Sequence, residues 1–155
     1  MVGSFSQRNI TWFAFLLLLQ QLASAEMSPA AGRLMVDIEN PSIDIGPIRV
    51  CLFSSPDGFP DNPRKALVCV THEETDHSSF YFENVPFGTI AASAYQDSNK
   101  NGRLDKGWLG IPKEPVGVSQ ANQFKPERPR FKTAVFLFDQ NGMKIQIHLH
   151  KGIAK

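Results

Sequence analysis

Near its C-terminus the chain reads MKIQIHLH, Met143 to His150, an unbroken alternation of apolar and polar residues. Successive side chains of a β-strand point to opposite faces, so Ile145, Ile147 and Leu149 are expected to face a core. Lys144, Gln146, His148 and His150 would then face solvent, as on a half-buried antiparallel strand. Comparable runs recur upstream. RLMVDIE (Arg33 to Glu39) places Leu34, Val36 and Ile38 on one face. IRVCLF (Ile48 to Phe53), ALVCVTH, SFYFENV and TIAASAYQ are short and rich in β-branched or aromatic residues, with Gly, Pro, Asn and Asp between them. About seven strands at this spacing predict an all-β fold, a single antiparallel β-sandwich. No repeat, heptad or sustained helical period competes with that reading. At the end of the chain, FKTAVFLF (Phe131 to Phe138) and MKIQIHLH flank DQNG. Asn141 and Gly142 tolerate positive φ, which predicts a terminal hairpin.

The N-terminus reads as an address. Arg8 precedes ITWFAFLLLL (Ile10 to Leu19), an apolar run of about ten residues, which is signal-peptide length and too short to span a bilayer. Leu22-Ala23-Ser24-Ala25 then ends in an A-x-A pattern, so Glu26 is the expected first mature residue. The expected organisation is a cleavable signal peptide at 1–25, a short linker at 26–33, the sandwich at 34–150 and a tail at 151–155. Export to the periplasm or the extracellular space follows, with no stable membrane span after cleavage. Once Arg8 leaves, fifteen Lys and Arg face fifteen Asp and Glu. That balance supplies no global pull toward nucleic acid or an anionic membrane. Two cysteines, Cys51 and Cys69, lie in strand-like segments of a chain bound for an oxidising compartment. A disulfide is expected if those strands are neighbours; otherwise the pair are buried thiols acting as small hydrophobes.

The segment from Gln96 to Arg130 has weak periodicity and many Gly, Pro and Asn residues. Structureless loops of that length are uncommon unless functional or disordered. Trp108, Leu109, Ile111 and Val116 make this one apolar enough to pack on the sandwich as a long ordered loop. Within it, QDSNKNGRLDKG spaces oxygen ligands as a calcium loop does. Asp97, Asn99 and Asn101 take positions 1, 3 and 5, and Gly102 is the sharp-turn glycine at 6. Arg103 offers its carbonyl at 7, Leu104 an apolar anchor at 8 and Asp105 a ligand at 9. Trp108 stands where a bidentate Glu belongs, and no flanking helices are predicted, so this is not an EF-hand. Lys100, Arg103 and Lys106 oppose the two acidic ligands, which places any Ca²⁺ affinity in the weak range, ~10⁻⁴–10⁻³ M. Glu114 completes the shell if the loop folds back. The same residues also make a metal-free polar turn, since Asx side chains cap their own turns and Asn-Gly is a turn dipeptide.

Other constellations are weaker. HEETDH (His72 to His77) spaces its histidines five apart, not the i, i+4 of a zinc protease. His148 and His150 share a strand face but have no evident third metal ligand. KPERPRFK (Lys125 to Lys132) is a local basic run, read as a solvated, proline-stiffened approach to a strand. No nucleophile elbow or phosphate loop is present.

Three motifs in order carry a resemblance: Pro86 to Tyr95, a glycine followed by an aliphatic strand; D-x-N-x-N-G-x-L-D at Asp97 to Asp105; and G-I-P-x-E-x-x-G-x-S at Gly110 to Ser119. Over roughly Leu34 to His150 the chain resembles the bacterial domain-of-unknown-function family 2141. The resemblance implies a small exported all-β domain, similar to transthyretin-like or immunoglobulin-like sandwiches, without an established activity. Gln96 stands where that family often has His, and Pro115-Val116 where a glycine-aromatic pair is commoner. The function expected is a non-catalytic module stabilised by Ca²⁺ that meets a protein or carbohydrate partner through Trp108, Leu109 and Glu114 of the GIPKE segment. The alternatives are a purely structural exported domain without metal, and a glycan-acting enzyme pairing Asp105 with Glu114.

Overall fold

The computed structural model describes residues 31–39, 46–73, 78–121 and 128–151. The leader, residues 26–30 of the linker, residues 74–77 of HEETDH, residues 125–127 of the basic run and residues 152–155 of the tail lie outside the described residues. Among the described residues, no helix is long and apolar enough to cross a membrane.

The described strands form two sheets. In the first, β1 (Ala31–Glu39) lies between β4 (Ser79–Pro86), which runs antiparallel to it, and β8 (Met143–His148), which runs parallel. The second has the order β3 (Val68–His72), β2 (Ile48–Phe53), β5 (Gly88–Gln96) and β6 (Val116–Val118), all antiparallel. A short β7 (Phe136–Phe138) pairs with the start of β5. The all-β class therefore holds, with eight strands among the described residues where about seven are expected from spacing. The added strand is β6, three residues inside the long loop.

Alternation places the core. Leu34, Val36 and Ile38 of β1, Phe80 and Phe82 of β4, and Ile147 of β8 meet Val50 and Leu52 of β2 and Ile90, Ala92 and Ala94 of β5. Residues of both sheets thus share one apolar cluster, as a sandwich requires. On β4 the period slips, because Leu34 faces Phe82 while Gly32 faces Val85. One extra residue is absorbed there with Asn84 at φ 55°, a conformation Asn tolerates. The second sheet is covered on its other face too. Cys51, Phe53 and Ala91 pack there with Phe59, Val118 and Ala134. That double burial explains why TIAASAYQ is small and apolar without alternation.

Cys51 and Cys69 are directly opposite on β2 and β3, Cα atoms 4.1 Å apart, and form a disulfide. Tying residues 18 apart in sequence, it raises stability by about 3 kcal/mol on the chain-entropy account.

The terminal hairpin is not formed. Phe131–Ala134 is one helical turn, and only Phe136–Phe138 is strand. Helical spacing puts Phe131 and Ala134 on the same side, where both join the cluster around Phe59. β7 then pairs with β5 in one sheet while β8 joins β1 in the other. Asn141 and Gly142 make a tight turn as expected, Gly142 at φ 79°, but the turn crosses between sheets. Its polar groups go to β1: the Arg33 N–H donates to Asn141 Oδ1 at 2.7 Å, and the Gly142 N–H to the Arg33 carbonyl at 2.8 Å. Along Met143 to His150 the expected facing holds for Ile147 and Leu149, which are buried, and for Lys144 and Gln146, which are exposed, while Ile145, His148 and His150 are half-buried.

Candidate functional site

The long loop leaves β5 at Gln96, whose side chain is fully buried and donates to the Gly46 carbonyl at 3.3 Å. The Asp97 N–H donates to the Pro47 carbonyl, so the first loop residue is anchored to the segment before β2. Gly46 has φ 91°, and a Cβ there would lie 2.2 Å from the Asp97 carbonyl oxygen. Only glycine fits beneath this corner.

From Asp97 the chain winds round its own side chains. Asp97, 4% exposed, accepts from the Asn101 N–H at 3.1 Å and the Gly102 N–H at 2.6 Å. Asn99 Oδ1 accepts from the Asn101 N–H, and Asn101 Oδ1 from the Arg103 N–H. Both amide groups then converge on one oxygen: Asn99 Nδ2 and Asn101 Nδ2 donate to Asp105 Oδ2 at 2.6 and 2.9 Å. Arg103 reaches Asp105 Oδ1 at 3.6 Å. Lys100 at φ 59° and Gly102 at φ 79° supply the left-handed bends. Leu104, the expected anchor, is half-buried.

The loop does fold back. Glu114, 3% exposed, accepts from the Ser98 N–H at 2.8 Å and the Asp105 N–H at 3.0 Å. Between its two ends a small hairpin projects. Lys106 bridges Pro112, the Gly107 and Lys113 N–H groups donate across to the Ile111 and Asp105 carbonyls, and the Gly110 N–H donates to the Gly107 carbonyl to close the tip. Trp108 is 94% exposed on that tip and Leu109 64% exposed. The expectation that these two pack on the sandwich is therefore wrong, because a two-residue tip held out by a backbone ladder has no surface beneath it. Ile111 and Val116 are half-buried. Lys106 pairs with Asp61, which also takes Arg128 at 3.1 Å, so the hairpin base is tied to the loop carrying Phe59.

Each polar or glycine residue of the Gly110 to Ser119 motif has a local task. Gly110 turns the tip at φ 75°, and Glu114 clamps the loop. Gly117 lets β6 approach β8, and Ser119 accepts from the Ala92 N–H and donates to the Ala134 carbonyl. The pairing of Asp105 with Glu114 as an acid–base couple on a glycan is not supported by this geometry. Both Glu114 oxygens are already taken, accepting from the part-buried Ser98 and Asp105 N–H groups. Of the histidines, His72 stacks on Phe80 and His148 lies 2.9 Å from Glu39. Arg128 of the basic run is spent on Asp61 and the Phe59 carbonyl.

Sequence spacing misses two residues beside the loop. Arg49 of β2 lies 5.9 Å from the ring centre of Tyr95 on β5, and both donate to the Gly102 carbonyl, at 3.3 and 3.4 Å. Burial raises the Tyr95 phenol pKa, and the Arg49 charge partly offsets that. No local motif announces them, since they belong to different strands.

No curated protein and no solved structure matches the chain significantly. A family profile does, across residues 36–146, so the motif order, the interlocked loop and the all-β fold converge on one statement: the chain belongs to DUF2141, a family of uncharacterised proteins conserved in bacteria.

Proposed function

We propose that this protein is an exported, non-catalytic binding module that meets a protein or carbohydrate partner through the Trp108–Leu109 tip, with weak Ca²⁺ uptake stiffening the loop behind it. The observation that carries this reading is the exposure of Trp108, 94%, on a hairpin whose base is clamped from two sides. An exposed Trp beside an exposed Leu is an anchor for a partner, and aromatic residues dominate such contacts. The Cys51–Cys69 disulfide fits an oxidising compartment.

Calcium fits the donor set. Asp97, Asn99, Asn101 and Asp105 are linked by hydrogen bonds within one turn of the loop, and Arg103 would add the backbone carbonyl expected at position 7. Ca²⁺ would replace the amide protons that now meet at Asp105 Oδ2, and Lys100, Arg103 and Lys106 keep the affinity low. The test is thermal unfolding with EDTA and with ~5 mM CaCl₂. A dissociation constant near 0.1 mM gives roughly 2 kcal/mol of added stability. That shift is expected to vanish in Asp97→Ala and with Mg²⁺; an equal midpoint with chelator removes calcium from the proposal. The tip has its own test. Trp108→Ala is expected to change stability by less than about 0.5 kcal/mol, as for surface positions. Trp108 is the sole tryptophan after Ala25, so its emission reports partner binding directly. A destabilised Trp108→Ala variant would make the tip structural and end this reading.

A further inference from the structure

A second feature borders the loop on the side away from the tip. Thr71 of β3, Arg49 of β2 and Tyr95 of β5 are directly opposed across three adjacent strands, so their side chains form one row. Together with Glu73, Lys100 and Gly102 they line a cavity of about 130 Å³. That is below the roughly 300–1,000 Å³ of sites for drug-sized ligands. It suits one small polar unit rather than an extended ligand.

The polar groups of this cavity are sorted. Arg49 Nε donates to Thr71 Oγ1 at 2.9 Å and Nη1 to the Gly102 carbonyl at 3.3 Å, while the guanidinium lies beside the Tyr95 ring. These contacts fix the guanidinium plane and use two of its five N–H groups. Among the described residues Nη2 has no further partner, and its N–H groups form part of the fork that receives a carboxylate. Lys100 adds a second cation at the rim. Asp97 also lines the cavity, but its carboxylate is turned into the loop, toward Asn101 and Gly102. Glu73 is then the acceptor exposed to the cavity, and Thr71 keeps its hydroxyl proton to donate. One anionic group and adjacent hydroxyls would satisfy the whole set.

We propose that this cleft binds a sugar acid, one pyranose-sized unit whose carboxylate meets Arg49 and Lys100 and whose hydroxyls meet Thr71 and Glu73. The site stands apart from the Trp108 tip, and either can fail without the other. The test is titration of the purified protein with galacturonate and with glucuronate, followed by amide chemical shifts, with glucose and acetate as controls. Saturable shifts are expected at Arg49, Thr71, Tyr95 and Gly102, with glucose and acetate each at least about tenfold weaker, the scale of losing one set of charge-assisted hydrogen bonds. Arg49→Gln is expected to weaken uronate binding at least as much. Because Arg49 also braces Gly102, Lys100→Asn serves as the second variant; Asn accepts the left-handed conformation, so the fold is kept while affinity falls severalfold. Equal affinity for glucose overturns the role of Arg49, equal affinity for acetate overturns sugar recognition, and no shift with either uronate overturns the site.

Discussion

Glu114 is one side chain holding two parts of a loop sixteen and nine residues away, and it does so from a position 3% exposed. Its removal would leave the part-buried Ser98 and Asp105 N–H groups without an acceptor. A fully buried orphan costs about 1–3 kcal/mol and a part-buried one less, so Glu114→Ala is expected to lose about 1–2 kcal/mol in urea unfolding. Glu114→Gln, which keeps one strong acceptor, should lose less than half of that; equal losses would mean the carboxylate itself is not the clamp. At this scale the site is half legible in the sequence. The oxygen spacing from Asp97 to Asp105 is local and can be read along the chain. That Glu114 closes the loop depends on the fold-back between them, and Arg49 and Tyr95 come together only when β2 pairs with β5. Their sequence separation hides them.

Among elements, β1 binds its two neighbours through one carboxylate. Asp37 accepts from Ser79 of β4 at 2.8 Å and pairs with Lys144 of β8 at 2.5 Å. Burial acts to raise the Asp37 pKa, but the Lys144 and Ser79 hydrogen bonds and the Lys144 charge outweigh it, and the net direction is below the ordinary 3.8. The folded carboxyl is therefore the stronger acid. Its contribution is present above 3.8 and is lost as pH falls through the lower folded value. Asp37→Asn is expected to flatten that acid limb, by less than about 1 kcal/mol for a pair this close to solvent. An unchanged acid unfolding curve would assign the limb to other carboxylates. The strands themselves were legible because period two is a local property: β2 begins and ends where IRVCLF does. The hairpin was misread because FKTAVFLF and MKIQIHLH meet a turn that suits a hairpin equally well. Phe131 and Ala134 tip the balance by packing against Phe59, a contact across more than seventy residues.

For the whole molecule, the Gly110 to Ser119 motif decides how the two sheets close. Val116 and His150 exchange backbone hydrogen bonds in both directions, at 3.0 and 2.9 Å, beyond the end of β8. A Cβ at Gly117 would lie 2.3 Å from the His148 carbonyl and 2.6 Å from Ile147. The glycine is thus required by space, not by its dihedral. β8 has β1 along one side, and this seam stands against the other. A strand left bare along one edge is a template for pairing with another molecule, and short protected edges are how sheet proteins avoid it. Gly117→Val would wedge the seam open and uncover backbone groups of β8. Such a variant is expected to form concentration-dependent oligomers below its unfolding midpoint, seen by light scattering; a monodisperse variant would show that the edge is guarded elsewhere. One hydrogen-sized side chain, in a motif otherwise occupied with the loop, would then be what keeps the folded molecules from polymerising through their own sheets.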